Sequence, residues 1–295
     1  MQEHFHFTTD RVKLQKQYAS ILLFVSAQLS SIQIPLQRRN HHLLKQKDEV
    51  IIAVHVLGKL LGFTSERAWH QFVIGNLFPK ELFPERSRYN RRCRVLGFAI
   101  KWIRHQPAKP AKRGQHHAYA VVDSLPLPLC HPARMQRVKR FRGIADMGYC
   151  ASKRVTFYGW KLHLQVTDQG LPMGYVVTEA SCHDRVAAET VMTQIPHPYN
   201  LGDKGYISQK LQKKLYEEHR VAFWTPVRKN QRIRQSDAWK QWMKRKRKVV
   251  ETVFSILVDS YRITEIRANS VSGFETALDG ILLAYSLVVL GLVER

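Results

Sequence analysis

Three carboxylates stand in settings where they could do chemistry. Asp203 lies in Tyr199-Asn200-Leu201-Gly202-Asp203-Lys204-Gly205-Tyr206, behind a short apolar approach and just ahead of a helix opened by Ser208, with Leu211 and Leu215 one turn apart. It is therefore expected at the C-terminal tip of a strand. Asp123 follows Ala118-Tyr119-Ala120-Val121-Val122, a strand-like run expected to be closed by Ser124, Pro126 and Pro128. In the basic stretch 101–160 the only acids are Asp123 and Asp146, so an Asp at a buried strand end there needs a reason. Glu251 sits inside a long helical segment, in Arg247-Lys248-Val249-Val250-Glu251-Thr252-Val253-Phe254. Acids this far apart in sequence meet only through a fold. Together, with no His or Cys among them, they form a hard oxygen site suited to Mg²⁺ or Mn²⁺. Two such ions can serve both the attacking and the leaving oxygen of a displacement at phosphorus. The plain alternative for Glu251 is an i,i+4 ion pair with Arg247, worth only about 0.2–0.5 kcal/mol.

Elements that would position these acids follow from periodicity. Residues 155–167 alternate and are rich in aromatic and β-branched types; Gly170-Leu171-Pro172 turns, and 173–178 returns as the second strand of a hairpin. His183-Asp184 opens a helix, with Asp184 as its candidate cap. That pair reads as a cap and a structural hydrogen bond rather than as metal ligands, because the three acids already account for a metal. Residues 221–227 form another strand, and Asp237 is expected to cap a final helix whose Trp239, Trp242, Val250, Val253, Phe254 and Leu257 face the sheet. The order strand, hairpin, helix, strand, helix, strand, helix gives a mixed α/β sheet flanked by helices.

The motifs Val122-Asp123-Ser124-Leu125-Pro126, Tyr158-Gly159-Trp160-Lys161-Leu162-His163-Leu164, Ala180-Ser181-Cys182-His183-Asp184, Gly202-Asp203-Lys204-Gly205-Tyr206 and Arg247-x3-Glu251-Thr252-Val253-Phe254-Ser255 occur in this order. The set resembles the successive motifs of bacterial insertion-sequence transposases with a DDE catalytic core, over about residues 116–260. The resemblance implies an RNase H-like fold in which Asp123, Asp203 and Glu251 are catalytic and bind the metals, two Mg²⁺ ions with Mn²⁺ as substitute. It implies double-stranded DNA as partner, both the element's terminal inverted repeats and the target, and a homodimer when two ends are brought together. Relatives often carry a Tyr three residues before the Arg and a Lys seven after the Glu; here Lys244 and Val258 stand there. Two rivals share much of this pattern: another RNase H-like nuclease acting on junctions or in repair, and a catalytically degenerate DNA-binding protein.

Net charge points the same way. Lys and Arg number 47 against 23 Asp and Glu, a formal +24, which favours a polyanion and nucleic acid first. Cys93, Cys130, Cys150 and Cys182 are isolated, without zinc-finger spacing, and read as reduced thiols of a cytoplasmic, nucleoid-associated protein. No signal peptide is read at the start. The longest apolar run, 281–293, is shorter than the roughly 20 residues of a membrane span, so a core helix and no membrane partner are expected.

Three regions are expected. Residues 1–115 form an all-helical, DNA-end-binding domain. Helices at 12–29, at 49–62 and at 66–78, the last capped by Ser65, include a helix, Gly turn and helix that is either a helix-turn-helix or two members of a bundle. A third basic helix of that domain, 87–105, presents Arg91, Arg92 and Arg94 to phosphates. Residues 106–117, rich in Pro and cations, are a linker. Residues 116–262 are the catalytic domain, and 263–295 a helical extension packed on it. Within the catalytic domain the DNA-contact candidates are Arg137 and Arg140 in an irregular basic loop, Lys204 beside Asp203, Arg228 and Lys229 after the last strand, and Lys244, Arg247 and Lys248 on the final helix.

Overall fold

In the computed structural model the described residues are 11–31, 44–108, 117–150, 154–227 and 234–295. They form two compact units, Met1–Pro107 with Ile266–Arg295, and Ala108–Glu265. The stretch 38–42, most of the expected linker, and the candidates Arg228 and Lys229 lie outside the described residues.

The first unit is helical: α1 (Arg11–Leu29), α2 (Asp48–Leu60), α3 (Glu66–Asn76), α4 (Arg86–Val95), α5 (Gly97–His105) and α9 (Val271–Val289). Helix α2 carries apolar residues almost all round and is buried along most of its length, from Ile51 to Leu60. Ser65 caps α3 by accepting from the Ala68 amide at 3.3 Å, as its position predicts. By contrast, the single helix expected over 87–105 is two. Gly97 comes so close to α9 that a Cβ there would stand 2.7 Å from Thr276 Oγ1, and the chain turns at Leu96 to allow it. Helix α9 corrects the expectation for 263–295. It packs against α2 and α5 and belongs to the helical unit. At 19 residues it is long and apolar enough to cross a membrane, yet 72% of its apolar window is buried within the protein.

In the second unit a six-stranded sheet is built from β1 (Ala120–Pro128), β2 (Asp146–Cys150), β3 (Val155–Thr167), β4 (Pro172–Glu179), β5 (Tyr199–Leu201) and β6 (Ala222–Trp224). The order runs β3, β1, β5, β6, with β4 and β2 sharing the outer edge of β3. Strands β1, β5 and β6 are parallel to one another; β3 is antiparallel to β1, and β4 and β2 to β3. Helices α6 (Asp184–Gln194), α7 (Gln209–His219) and α8 (Asp237–Asp259) flank it. Val122 of β1 joins one apolar cluster with Ala188 and Val191 of α6 and Leu215 of α7, so alternation turns its neighbour Asp123 to the opposite face.

Strand β1 does not stop at Asp123. It continues through Pro126 and Pro128 in register with β3. The prolines are tolerated because β5 pairs only with Ala120 and Val121, leaving β1 with a free edge beyond. The Leu129 amide bonds Tyr158, so the odd positions donate toward β3 and the even, proline positions face the free edge. The expected basic loop likewise contains a strand, β2, which pairs with the first half of β3. Small corrections concern two caps: Ser236, not Asp237, caps α8, and His183 precedes α6 as its cap, with Asp184 as first residue.

Gly159 is the tightest point of the sheet. A Cβ there would meet the Leu127 carbonyl oxygen, with Leu129 N at 3.1 Å. Both are backbone, so neither can swing away. Gly159→Ala is expected to cost about 2–4 kcal/mol, seen as a lower urea midpoint; a cost below a few tenths would mean that β1 and β3 can part there freely.

Candidate active site

Parallel pairing sets Asp123 against Asp203. Ala120 lies opposite Asn200 and Val121 opposite Leu201. The same register carried two residues further puts Asp203 level with Asp123, where β5 has just ended. Asp203 then precedes a single 3-10 turn, Lys204–Tyr206, and Ser208 caps α7. Both acids meet one cation of α8. Arg247 Nη1 lies 3.1 Å from Asp203 Oδ1, and Arg247 Nη2 lies 3.6 Å from Asp123 Oδ2. Glu251 is one turn beyond Arg247 on the same face of α8, exposed, and among the described residues it forms no ion pair, with Arg247 or any other cation. The i,i+4 pair is thus not made; the guanidinium turns to the aspartates instead.

Burial pushes the Asp123 carboxyl up to about 6, against the opposing pull of the Ser124 amide and Arg247; Asp203 and Asp184 add to the rise. The folded state therefore favours the proton. The penalty for the charged form is absent below about pH 4, grows through 6 and is full above it. Asp123→Asn in chelator should then stabilise the protein at pH 8 by about 1–3 kcal/mol and leave it unchanged at pH 4. Urea unfolding at both pH values tests this; equal offsets would mean that Arg247 fully compensates the charge.

On the other face of the sheet the remaining motifs gather. Ser124 pairs with His163, so His163 and Lys161 share the α6 side. Lys161 Nζ donates to the Cys182 carbonyl (2.6 Å) and to Asp184 Oδ1 (3.2 Å). His163 Nδ1 is 3.3 Å from the Tyr206 hydroxyl, and its Nε2 is 2.9 Å from Thr178 Oγ1. Burial pushes His163 down to about 4 and the Tyr206 phenol well above its ordinary value, so both stay neutral. Gly205 packs on this network, since a Cβ there would stand 3.0 Å from Asp184 Oδ2. Asp184 thus braces the turn that presents Asp203. The sequence reading gave it a local role and missed this one. The signal was present in the period-two spacing of Lys161 and His163, which puts a cation on a buried strand face and so demands an acid.

The DNA-contact candidates divide. Arg91, Arg94, Arg137, Lys204, Lys244 and Lys248 are exposed. Arg92 is a correction: it is 8% exposed and bonds Asp48 at the start of α2 through two nitrogens, at 2.6 and 2.8 Å. Arg140 is half-buried, its guanidinium 5.3 Å from the Phe141 ring. Arg247 is engaged by the two aspartates.

Asp123 and Asp203, with Glu251 on the adjoining helix face, offer oxygen donors only, and the Asp pair already gathers around one cationic group. The guanidinium stands in for the positive charge that such a donor set seeks, so the residues fit Mg²⁺ or Mn²⁺. Elsewhere Glu189, Glu218 and His219 bring possible ligand atoms within 4.8 Å of one another, but Lys214 lies 2.7 Å from Glu189 and neutralises that group.

A hairpin antiparallel to β1, then two strands parallel to it, with helices on both faces, defines an RNase H-like domain; the N-terminal region forms a separate helical unit. The profile of the family described as Transposase DDE domain matches residues 113–271, more than half of the chain, and the chain belongs to that family. No curated protein and no solved structure matched it.

Proposed function

We propose that the chain is the transposase of an insertion sequence, cutting phosphodiester bonds at the element's ends and joining them to target DNA. The observation that supports this best is the register that sets Asp123 level with Asp203 beside the Glu251 face of α8. Asp123, Asp203 and Glu251 would hold Mg²⁺, with Mn²⁺ as substitute and two ions as the working number. The metal would supply Lewis acidity and a bound water of lowered pKa. Water adds to phosphorus at the element end and the 3′ oxygen leaves as a hydroxyl; that hydroxyl then attacks a target phosphodiester, whose own 3′ oxygen leaves as a hydroxyl in turn. The protein forms no bond to DNA.

Its own residues have simpler tasks. The three acids present oxygen lone pairs. Arg247, released from the aspartates, would neutralise the scissile phosphate, and Lys204, Lys244 and Lys248 would hold flanking backbone. Arg91 and Arg94 of α4, with the exposed face of α3, would engage the terminal repeats, and two protomers would bridge paired ends. Such a protein acts in the cytoplasm, on the nucleoid. Lys244 and Val258, at the places where relatives carry Tyr and Lys, favour a second reading, a protein that binds DNA without cutting it.

The test is a labelled duplex carrying the inverted repeats that flank the gene, incubated with Mg²⁺, with Mn²⁺ or with chelator. Metal-dependent release of a 3′-hydroxyl at the repeat boundary supports transposition. Cleavage at branched DNA but not at repeats would shift the reading to a junction nuclease. Retardation without cleavage would leave binding alone.

A further inference from the structure

On the sheet of the second unit five aromatic rings run in file. Tyr199 of β5 stacks on Trp224 of β6, with centroids 5.5 Å apart and planes at 19°. Trp224 meets Trp239 of α8 edge-on at 5.6 Å. Trp239 stacks on Trp242, one turn further along α8, at 4.9 Å and 15°. Trp242 meets Tyr119 at 6.1 Å, and Lys246 Nζ caps the line 5.5 Å from the Tyr119 centroid. The file runs from the N-terminal ends of β1 and β5 to the C-terminal end of β6. Helix α8 then leads from Trp242 to Arg247, a rise of about 7 Å.

Trp239 and Trp242 face the sheet, as their helical spacing predicts, but three observations show that they are not closed into a core. None of the five rings is buried: Tyr199 is 48% exposed and the rest are half-buried. The indole N–H groups of Trp224, Trp239 and Trp242 make no hydrogen bond within the described residues, whereas a buried indole usually finds a partner. Finally, 237–248 carries Lys240, Lys244, Arg245, Lys246, Arg247 and Lys248 against a single acid, Asp237. Rings left partly open beside a dense run of cations match the two halves of a single strand of nucleic acid, bases and phosphates.

We propose that this file of rings is a stacking platform for unpaired nucleotides of a DNA strand led along α8 toward the catalytic acids. The inference rests on the transposase reading, which supplies DNA opened near a cut end. Stacking needs no particular base, because every base has a π face, so the platform is expected to be indifferent to sequence.

The test compares an oligothymidylate with an abasic phosphodeoxyribose chain of equal length, both in chelator, by tryptophan fluorescence titration of the full chain. Oligothymidylate is expected to quench emission and to bind more tightly than the abasic chain. Trp239→Ala and Trp242→Ala should each weaken oligothymidylate about 5- to 150-fold, with abasic and duplex affinities unchanged, and Trp242→Phe should restore most of the loss. Equal affinity for the two chains without quenching would overturn the platform. So would a parallel loss of duplex binding in both Ala variants, or self-association that Trp239→Ala abolishes, since the rings would then serve folding or a second copy. Working in chelator separates the two readings. Quenching by a protein that never cleaves keeps the platform and sinks transposition; cleavage without quenching does the reverse.

Discussion

Asp203→Asn is expected to lower cleavage of an end-bearing duplex in Mg²⁺ by about 10³-fold or more, equivalent to about 4 kcal/mol of lost transition-state stabilisation. Duplex affinity should stay within about threefold or tighten slightly, because a negative charge beside the phosphates has been removed. Fold disruption cannot explain such a loss: the Asp203 side chain is half exposed and pairs with Arg247. Glu251→Gln should show the same separation of cleavage from binding, with no ion pair to lose. Glu189→Gln, which alters an ion pair with Lys214 on the flanking helices, should cleave normally. If Asp203→Asn retains more than about a tenth of the rate, the metal-bearing assignment falls, because one Asp cannot then be supplying an essential ligand. Retained cleavage with Glu251→Gln alone would leave a two-Asp site, since Asp184 lies on the other face of the sheet and is held by Lys161.

What could be seen in the sequence was whatever depended on local pattern. Strand β3 ends where alternation and turn residues place it, Ser65 and Ser208 cap the helices they precede, and Asp203 follows its strand as its glycines and apolar approach require. The level meeting of Asp123 with Asp203 needed the register of two strands 80 residues apart in sequence, which no local window contains. The misses share a cause. Pro126 and Pro128 looked like strand breakers, but their effect depends on whether a neighbour exists on that edge, and β5 is too short to provide one. Gly97 sits within a run of helical spacing, and only the approach of α9 requires its missing side chain. Arg92 and Arg247 looked like members of basic faces, yet each is held by an acid distant in sequence. A net charge counts such arginines as available to DNA. The fold decides which of them are.

Arg104 is the strongest case, and its replacement should have the largest effect on stability. Helical spacing places it among the cations of a phosphate-facing surface. Instead it is 0% exposed, with Nε 2.8 Å from Oδ1 of Asp279, itself 2% exposed on α9. The pair ties α5 to a helix 175 residues later in the chain, within one helical unit. Arg104→Met is expected to destabilise that unit by about 3–5 kcal/mol, because it leaves the Asp279 carboxylate buried without its counter-charge. Asp279→Leu should cost a similar amount by stranding the guanidinium. The double variant should recover to within about 1 kcal/mol of the wild type, since two apolar side chains of comparable size carry no desolvation penalty. Hydrogen exchange read at α5 and α9 isolates this unit from the unfolding of the sheet, and the double-mutant cycle gives the coupling directly. Single variants that cost less than about 1 kcal/mol each would show that water reaches the pair. In that event apolar packing alone would hold α9 against α5. A double variant as unstable as the singles would instead assign the pair a positive role in packing, one that Met and Leu cannot fill.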